Sequence, residues 1–175
     1  MVRIQDLTFE EYISEERIFA RTSQLAKKIN VDFEGKNPIF LGILNGSFMF
    51  LSELFKQITI ECEVSFLKVS SYENQTSTGK VRELIGLNKS IDNRPVIIVE
   101  DIVDTGHTLA FIKDKISSFS PSKVSVMTLL HKVAATKIPH ELDYVGFEID
   151  NIFVVGFGLD YNELGRNHRC ILAKS

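Results

Sequence analysis

The segment Val96–Leu109, with the sequence VIIVEDIVDTGHTL, combines the residue types that could bind a charged ligand. Its first four residues, Val96–Val99, are β-branched, which is typical of a parallel strand covered on both faces. Two adjacent carboxylates, Glu100 and Asp101, follow this strand. A third carboxylate, Asp104, precedes a Thr-Gly-His-Thr sequence that leads into a predicted helix. The segment therefore places three acids and a glycine-containing turn at the end of a buried strand.

This arrangement is typical of a site for a phosphorylated sugar. Ligands of open α/β sheets bind outside the carboxyl ends of the strands, and a helix N-terminus offers free N–H groups to an anion such as phosphate. Three acids would repel that phosphate unless ribose hydroxyls or a hard cation such as Mg²⁺ were their partners. The alternative is that Glu100 and Asp101 form a solvated strand end and that Asp104 caps the helix.

The composition of the chain sets limits on the protein that carries this segment. The 175 residues are 44% hydrophobic and 25% charged, as expected for one globular domain spanning 1–175. A formal net charge of −3 argues against a broad basic face for nucleic acid. The two cysteines, Cys62 and Cys170, are far apart, which argues against a disulfide framework or a zinc site.

The chain also carries no sequence signal for a membrane. Several acidic residues lie within residues 1–17, where a signal peptide would need an apolar run. No stretch approaches the roughly 18 apolar residues of a transmembrane helix. We expect a cytoplasmic protein that binds neither membranes nor nucleic acid.

The elements that position the acidic segment alternate between strand and helix. Thr8-Phe9-Glu10-Glu11 fits a capping box with Thr8 as N-cap, and the spacing of apolar residues predicts a helix over 9–29. The other predicted helices are 48–56 and 107–119. The predicted strands are 39–44, 60–69, 81–87, 96–99, 123–130, 144–149 and 152–158. This order predicts an α/β fold with an open sheet.

Two connecting segments complete this prediction. Residues 70–80, with the sequence SSYENQTSTGK, are almost without apolar side chains and predict an exposed, mobile loop between the strands of a long hairpin. Residues 131–142 predict a polar loop.

On these residues the chain is identified as a member of the type I phosphoribosyltransferases. Val96–Leu109 resembles their binding motif for 5-phosphoribosyl-1-diphosphate (PRPP). Four further stretches resemble the hypoxanthine-guanine branch of that family, and the resemblance extends over nearly the whole chain from about residue 9. These stretches are Leu44–Ser47, Ser70–Tyr72, Leu129–Lys132 and Tyr144–Glu163. The resemblance implies a mainly parallel twisted sheet flanked by helices. It also implies a small hood, formed by the N-terminal and C-terminal segments, and a flexible lid loop at about 70–80.

The resemblance also implies an activity. It is the Mg²⁺-dependent transfer of the phosphoribosyl group from PRPP to N9 of hypoxanthine or guanine, which yields IMP or GMP and pyrophosphate. An enzyme of this kind serves purine salvage and forms a homodimer or homotetramer. The alternatives are a xanthine-preferring enzyme, a PRPP-sensing regulator on the same fold and a phospho-acceptor domain.

The sugar-phosphate part of the site follows from the resemblance by position. Glu100 and Asp101 would hold the ribose hydroxyls, directly or through Mg²⁺. The 5′-phosphate would be bound by residues 104–108, which are Asp104, Thr105, Gly106, His107 and Thr108. His107 would serve as a backbone donor, and Asp104 would be the general acid or base near purine N7.

The pyrophosphate part of the site would include the loop Leu44–Ser47. Asn45 stands where the family often has Lys or Arg, and Gly46 follows it. Relatives have a cis peptide in this loop, and we expect one between Leu44 and Asn45; the alternative is an ordinary Asn-Gly turn. The other residues that would contact pyrophosphate are Ser71, Tyr72 and Arg166.

Four residues would bind the purine. By resemblance, Lys132 would donate to the purine O6, Phe153 would stack on the ring and Val154 would offer backbone contacts. Asp160 would lie near the purine 2-position and a second Mg²⁺, so the predicted metal ligands are Glu100, Asp101 and Asp160. By spacing alone, Lys132 would be a solvated strand end and Phe153 a core residue.

Overall fold

The described part of the chain contains a large, mainly parallel sheet flanked by three helices, and a smaller sheet beside it. The structure, a computed structural model, describes residues 1–71, 81–85 and 90–175. The strands are β1 (Val2–Ile4), β2 (Leu7–Ile13), β3 (Ile39–Leu44), β4 (Glu63–Ser71), β5 (Val81–Ile85), β6 (Pro95–Val103), β7 (Lys123–Lys132), β8 (Tyr144–Ile149), β9 (Val154–Val155) and β10 (Ile171–Lys174). The helices are α1 (Glu15–Asp32), α2 (Phe48–Phe55) and α3 (His107–Ser117), and a short 3₁₀ turn covers Val133–Ala135.

The large sheet has the strand order β5-β4-β3-β6-β7-β8. Five of these strands are parallel, and β5 pairs antiparallel with β4 at the edge. The strand β6 lies between β3 and β7 and is buried from Pro95 to Glu100, because helices cover both faces of the sheet. The predicted α/β fold with a mainly parallel sheet and flanking helices is confirmed.

The core is divided between the two faces of this sheet. One apolar cluster joins α1 and α2 to the sheet and includes the fully buried rings of Phe33, Phe40 and Phe50. The other cluster packs Leu109, Ile112 and Ile116 of α3 against the opposite face. Removing such large buried side chains costs several kcal/mol, so the sheet is a rigid base for its carboxyl-terminal loops.

The smaller sheet joins the two ends of the chain. Its antiparallel order is β1-β2-β10-β9, and its apolar side chains Ile4, Phe9, Val155 and Leu172 pack together. It corresponds in position to the expected hood. The boundaries of the expected single domain, with its lid at about 70–80, stay a prediction, because residues 72–80 lie outside the described residues.

The predicted start of the first helix is wrong. Residues 7–13 form β2, and α1 begins at Glu15 with Ser14 as N-cap, whose hydroxyl accepts a hydrogen bond from the Arg17 N–H at 3.4 Å. Phe9 and Ile13 both face the core from β2, an even spacing that fits a strand as well as the four-residue spacing of a helix. Pairing with β10 decides between the two, and that partner lies more than 150 residues away.

Smaller differences concern strand lengths. The predicted strand 152–158 is reduced to β9, because the chain turns at Gly156 and Gly158 with positive φ angles. The strand β6 continues to Val103 and β7 to Lys132, beyond their predicted ends at 99 and 130. The strands β1 and β10 were not predicted. Among the described residues, no helix has both the length and the apolar character needed to cross a membrane.

Candidate active site

A cavity of about 590 Å³ opens at the carboxyl ends of β3, β4 and β6. The loop after β3 forms one wall, and the acidic end of β6 with the following turn forms the floor. The segment between β9 and β10 forms the opposite wall. Ten residues predicted for the site line it: Asn45, Gly46, Glu100, Asp101, Asp104, Thr105, Gly106, Thr108, Asp160 and Arg166.

The turn between β6 and α3 presents a helix N-terminus to the cavity. Gly106 is the N-cap with a φ angle of 87°, and α3 begins at His107. Asp104 therefore does not cap this helix, and the alternative that gave it only this role is wrong. The exposed His107 does not line the cavity, and its Nδ1 lies 3.0 Å from the Thr105 hydroxyl. The free N–H groups of the first turn form a site suited to an anion.

A segment after β7 holds this turn in place by hydrogen bonds. The backbone N–H groups of Lys137 and Ile138 both donate to the Thr105 carbonyl at 3.0 Å. The His140 Nε2 lies 2.8 Å from the Gly106 carbonyl, which makes this nitrogen a donor. Sequence reasoning missed these supports, because a backbone contact across more than 30 residues leaves no local pattern.

Glu100 and Asp101 form an acidic pair on the floor, with Glu100 buried and Asp101 half-buried. Glu100 is only 4% exposed, and burial, reinforced by the charge of Asp101, raises the pKa of its carboxyl well above the usual range. Burial also raises the pKa of Asp101 to about 6, although its carboxylate accepts a hydrogen bond from the Ile102 N–H at 2.9 Å. Two adjacent acids with raised pKa values favour hydroxyl donors or a cation as partners.

We expect Asp101→Asn to raise the thermal midpoint of the ligand-free protein. Asp101 has a pKa of about 6 in the folded protein and 3.8 as its reference value. The folded state therefore binds more protons between these values, and stability falls as pH rises through that window. The variant removes this cost and keeps the acceptor for Ile102. Thermal unfolding in EDTA should show an increase of about 5 °C at pH 7.5 and a smaller one at pH 5.

The exposed Asp114 of α3 supplies the control for this experiment, because Asp114→Asn removes a charge away from the cavity. We expect this control to change the midpoint little at either pH. An Asp101→Asn increase that is equal at both pH values would contradict the argument.

Lys132 is placed beside Asp104 and not in open solvent. The residue is 8% exposed, and its Nζ lies 3.0 Å from the Asp104 Oδ2. The alternative of a solvated strand end is therefore wrong for Lys132. It lies behind Asp104, outside the residues that line the cavity.

The loop after β3 passes so close to the acidic pair that it admits no side chain at Gly46. A Cβ atom there would overlap the Asp101 carboxylate. A Cβ atom at Gly158, whose φ angle is 103°, would overlap the Gly46 carbonyl from the other side. The peptide between Leu44 and Asn45 is cis, as predicted. This loop is thus packed between β6 and the opposite wall.

Arg166 is fixed by three acceptors at the opposite wall. Its guanidinium donates to the Gly158 carbonyl at 2.9 Å and forms ion pairs with Asp160 at 2.8 Å and Glu163 at 2.9 Å. Sequence reasoning assigned Arg166 and Asp160 to the site and missed Glu163. The only available signal was its spacing of three residues from Arg166 in an irregular segment.

The aromatic residue predicted for the purine lies immediately before β9 of the smaller sheet. Phe153 is 42% exposed, so the alternative of a core residue is wrong for it. Its ring centroid lies 6.2 Å from that of Phe9 and 5.7 Å from that of Tyr161. Val154 is buried in β9. Neither lines the cavity, and their contact with a base stays a prediction, as do the roles of Ser71 at the end of β4 and of Tyr72 outside the described residues.

A family model for the phosphoribosyl transferase domain matches residues 9–162. The chain belongs to the phosphoribosyl transferase family. The matched residues include the large sheet, the helices on its two faces and the acidic segment that ends β6. The type I phosphoribosyltransferase fold expected from the sequence is thereby confirmed.

Individual members of this family are similar over most of the chain. The hypoxanthine-guanine phosphoribosyltransferase of Streptococcus agalactiae is 43% identical over 155 residues, which is 88% of this chain and 86% of the relative. The crystal structure of a hypoxanthine phosphoribosyltransferase from Staphylococcus aureus superposes with a TM-score of 0.91 at 40% identity, covering 97% of this chain and 92% of that chain.

Other relatives are much longer. The bifunctional protein TilS/HprT of Listeria innocua is 42% identical over 156 residues, which is 89% of this chain. The chain spans about a quarter of the length of that protein, since the match covers 24% of it.

Proposed function

We propose that this protein is a hypoxanthine-guanine phosphoribosyltransferase of purine salvage. It transfers the phosphoribosyl group from PRPP to N9 of hypoxanthine or guanine and releases pyrophosphate. The observation that carries the proposal is a cavity that joins a helix N-terminus, an adjacent pair of acids and a fixed arginine. These features match in order the 5′-phosphate, the ribose and the pyrophosphate of PRPP.

The turn 104–108 binds the 5′-phosphate in this proposal. The backbone N–H groups at the start of α3, with the hydroxyls of Thr105 and Thr108, supply the donors. Glu100 and Asp101 accept hydrogen bonds from the ribose hydroxyls, which relieves the cost of holding two adjacent acids with raised pKa values. The sugar is held between these two sets of partners.

The leaving pyrophosphate lies between the two side walls. The loop at Asn45 and Gly46 approaches it from β3, and Arg166 approaches it from the opposite wall. A planar guanidinium suits phosphate oxygens well. Arg166 is now paired with Asp160 and Glu163, so pyrophosphate competes with these carboxylates for its donors. Ser71 and Tyr72 are further contacts assigned by resemblance.

The acidic residues fit Mg²⁺ as the cofactor. Among the described residues, no three carboxylate, imidazole or thiol groups converge to hold a metal by themselves. Mg²⁺ takes most of its ligands from water and substrate phosphates and only one or two from carboxylates. Glu100, Asp101 and Asp160 are the residues that would hold it. When bound, Mg²⁺ neutralises charge on the leaving pyrophosphate.

The purine binds between Asp104 and the smaller sheet. Lys132 donates to the O6 oxygen, Phe153 stacks on the ring and Val154 offers its backbone to the base edge. Asp160 lies near the 2-position. Asp104 exchanges a proton with N7 while the N9–ribose bond forms, and its ion pair with Lys132 fixes its carboxylate.

The reaction needs no covalent enzyme intermediate. Departure of pyrophosphate builds positive charge on the ribose ring, so the chain contributes chiefly by positioning the reactants and by electrostatics.

The names of the relatives favour this function over a xanthine-preferring enzyme or a PRPP-sensing regulator. One similar structure, from Trypanosoma cruzi, was solved with the product IMP. We infer by the same similarity that the protein works in the cytoplasm as a homodimer or homotetramer and binds PRPP, purine bases and their nucleotides.

A nucleotide-formation assay tests the proposal. The purified protein is offered PRPP with hypoxanthine, guanine, xanthine or adenine, each with Mg²⁺ or with excess EDTA. We expect IMP and GMP to form only with Mg²⁺ and adenine to remain unchanged. PRPP binding without turnover of any base would favour a regulator, and fastest turnover of xanthine would favour the xanthine-preferring alternative.

A further inference from the structure

Lys68 of β4 lies on the cavity wall and has no role in the function proposed so far. In the parallel pair formed by β3 and β4, Lys68 is opposite Leu44, the residue immediately before Asn45. The strand β3 ends at Leu44, whereas β4 continues to Ser71, so Lys68 lies beside the loop that contains Asn45 and Gly46. Its side chain is half-buried, so it is neither a fully solvated lysine nor a core residue.

The charges around the cavity distinguish Lys68 from the other cations. Lys132 is paired with Asp104, and Arg166 is paired with two carboxylates. Within residues 1–71, 81–85 and 90–175, no carboxylate lies within 4.0 Å of the Lys68 ammonium group in an ion pair. Lys68 is thus a cavity-lining cation that has no carboxylate in ion-pair contact among the described residues.

Lys68 and Arg166 act on the same side of the cavity. The hydrogen bond and the charge of Arg166 lower the pKa of the Glu163 carboxyl, and the charge of Lys68 lowers it further. The two cations therefore reach a common region, which lies between the β3 loop and the opposite wall. That region is the one assigned above to pyrophosphate.

A diphosphate in this region needs more positive charge than the loop itself supplies. Asn45 is uncharged, and the floor of the cavity carries Glu100 and Asp101. A lysine in the neighbouring strand, beside this loop, offers three donors on a flexible stem, which suits the oxygens of a mobile leaving group.

We propose that Lys68 binds the pyrophosphate group of PRPP and the product pyrophosphate, supplying from β4 the positive charge that Asn45 does not provide. This inference rests on the proposed function and adds a binding residue to the same site. In this arrangement PRPP and pyrophosphate contact Lys68, whereas IMP does not.

The test compares Lys68→Met, which keeps the stem and removes the charge, with Lys68→Arg, which keeps the charge. Each variant is measured in IMP formation and in the reverse reaction of IMP with pyrophosphate. We expect Lys68→Met to raise the KM for PRPP and for pyrophosphate about 10- to 100-fold, the effect of one charged hydrogen bond. The KM for IMP should remain within about twofold, and Lys68→Arg should recover most of the lost affinity.

Lys56→Met is the matched control, since Lys56 is an exposed lysine just beyond α2 that pairs with Glu53. It should change none of the three KM values. Unchanged KM values for PRPP and pyrophosphate in Lys68→Met would overturn the inference. Equal increases for IMP and pyrophosphate, with a lower thermal midpoint, would also overturn it, because they would assign Lys68 a structural role.

Calorimetric binding of Mg²⁺-pyrophosphate to the same proteins separates this inference from the proposed function. A wild-type protein that forms no IMP contradicts the proposed function. In that case a weaker pyrophosphate affinity of Lys68→Met still supports the role of Lys68, and an equal affinity overturns it.

Discussion

Replacing Asp104 by Asn is expected to lower kcat for IMP formation by about 10²- to 10⁴-fold, the usual contribution of a general acid or base. The amide keeps the size of the side chain and its place on the cavity lining, but it does not exchange a proton with purine N7. The KM for PRPP should rise much less, because the backbone donors at the start of α3 remain in place. Steady-state kinetics with varied PRPP and saturating hypoxanthine measure both values.

The ion pair between Asp104 and Lys132 is lost in this variant, so its effect must be separated from that of the missing proton. The pH profile makes this separation. Loss of an acid–base group removes one limb of the wild-type profile, whereas loss of an ion pair lowers the whole profile. Asp114→Asn, on the exposed face of α3, is the control and should leave kcat unchanged. Equal losses in kcat and in PRPP affinity would contradict an acid–base role.

The part of the site that the sequence predicted best is continuous along the chain. A buried strand, an acidic pair, a glycine turn and a helix start follow one another from Val96 to Leu109, so local pattern alone places them together. The fold class was predictable for the same reason, because strand, helix and strand follow one another in β3-α2-β4 and again in β6-α3-β7. The alternation of strand and helix then predicts an open α/β sheet, and the resemblance to the phosphoribosyltransferases implied that it is mainly parallel.

The remaining features depend on contacts between distant segments. The strand β2 was predicted as helix, since its sequence carries a capping-box pattern and only its pairing with β10 reveals a strand. Lys68 was not assigned to the site because its position depends on the register between β3 and β4. The support of Gly106 by His140 depends likewise on a loop that folds back across 34 residues. No single segment carries these signals.

The same distinction bears on Lys132, whose local sequence indicated an ordinary strand end. The ion pair with Asp104 and the 8% exposure show a lysine held in one place at the end of β7. A fixed ammonium group donates hydrogen bonds and accepts none. In the proposed complex it therefore favours the O6 oxygen of a 6-oxopurine and disfavours the 6-amino group of adenine. A site built around such a donor discriminates strongly against a base that lacks the acceptor.

Lys132→Met is therefore expected to lower kcat/KM for hypoxanthine and guanine by about 10²-fold or more, since a charged hydrogen bond and the partner of Asp104 are both lost. The activity with adenine should not fall in parallel, so the ratio of hypoxanthine to adenine turnover becomes smaller. Competition assays with both bases measure that ratio directly. Lys123→Met, at the exposed opposite end of β7, keeps the wild-type ratio as the matched control.

The ratio is the decisive quantity because it separates recognition from positioning. If Lys132 served only to orient Asp104, its removal would slow every base by the same factor and leave the ratio unchanged, which would contradict its role at O6. Asp104 keeps a 44% exposed side chain and remains hydrated without its partner, so the fold should survive the substitution. A smaller ratio of hypoxanthine to adenine turnover, with an unchanged KM for PRPP, then assigns the lost interaction to the purine base. This is the result expected for a donor to the purine O6.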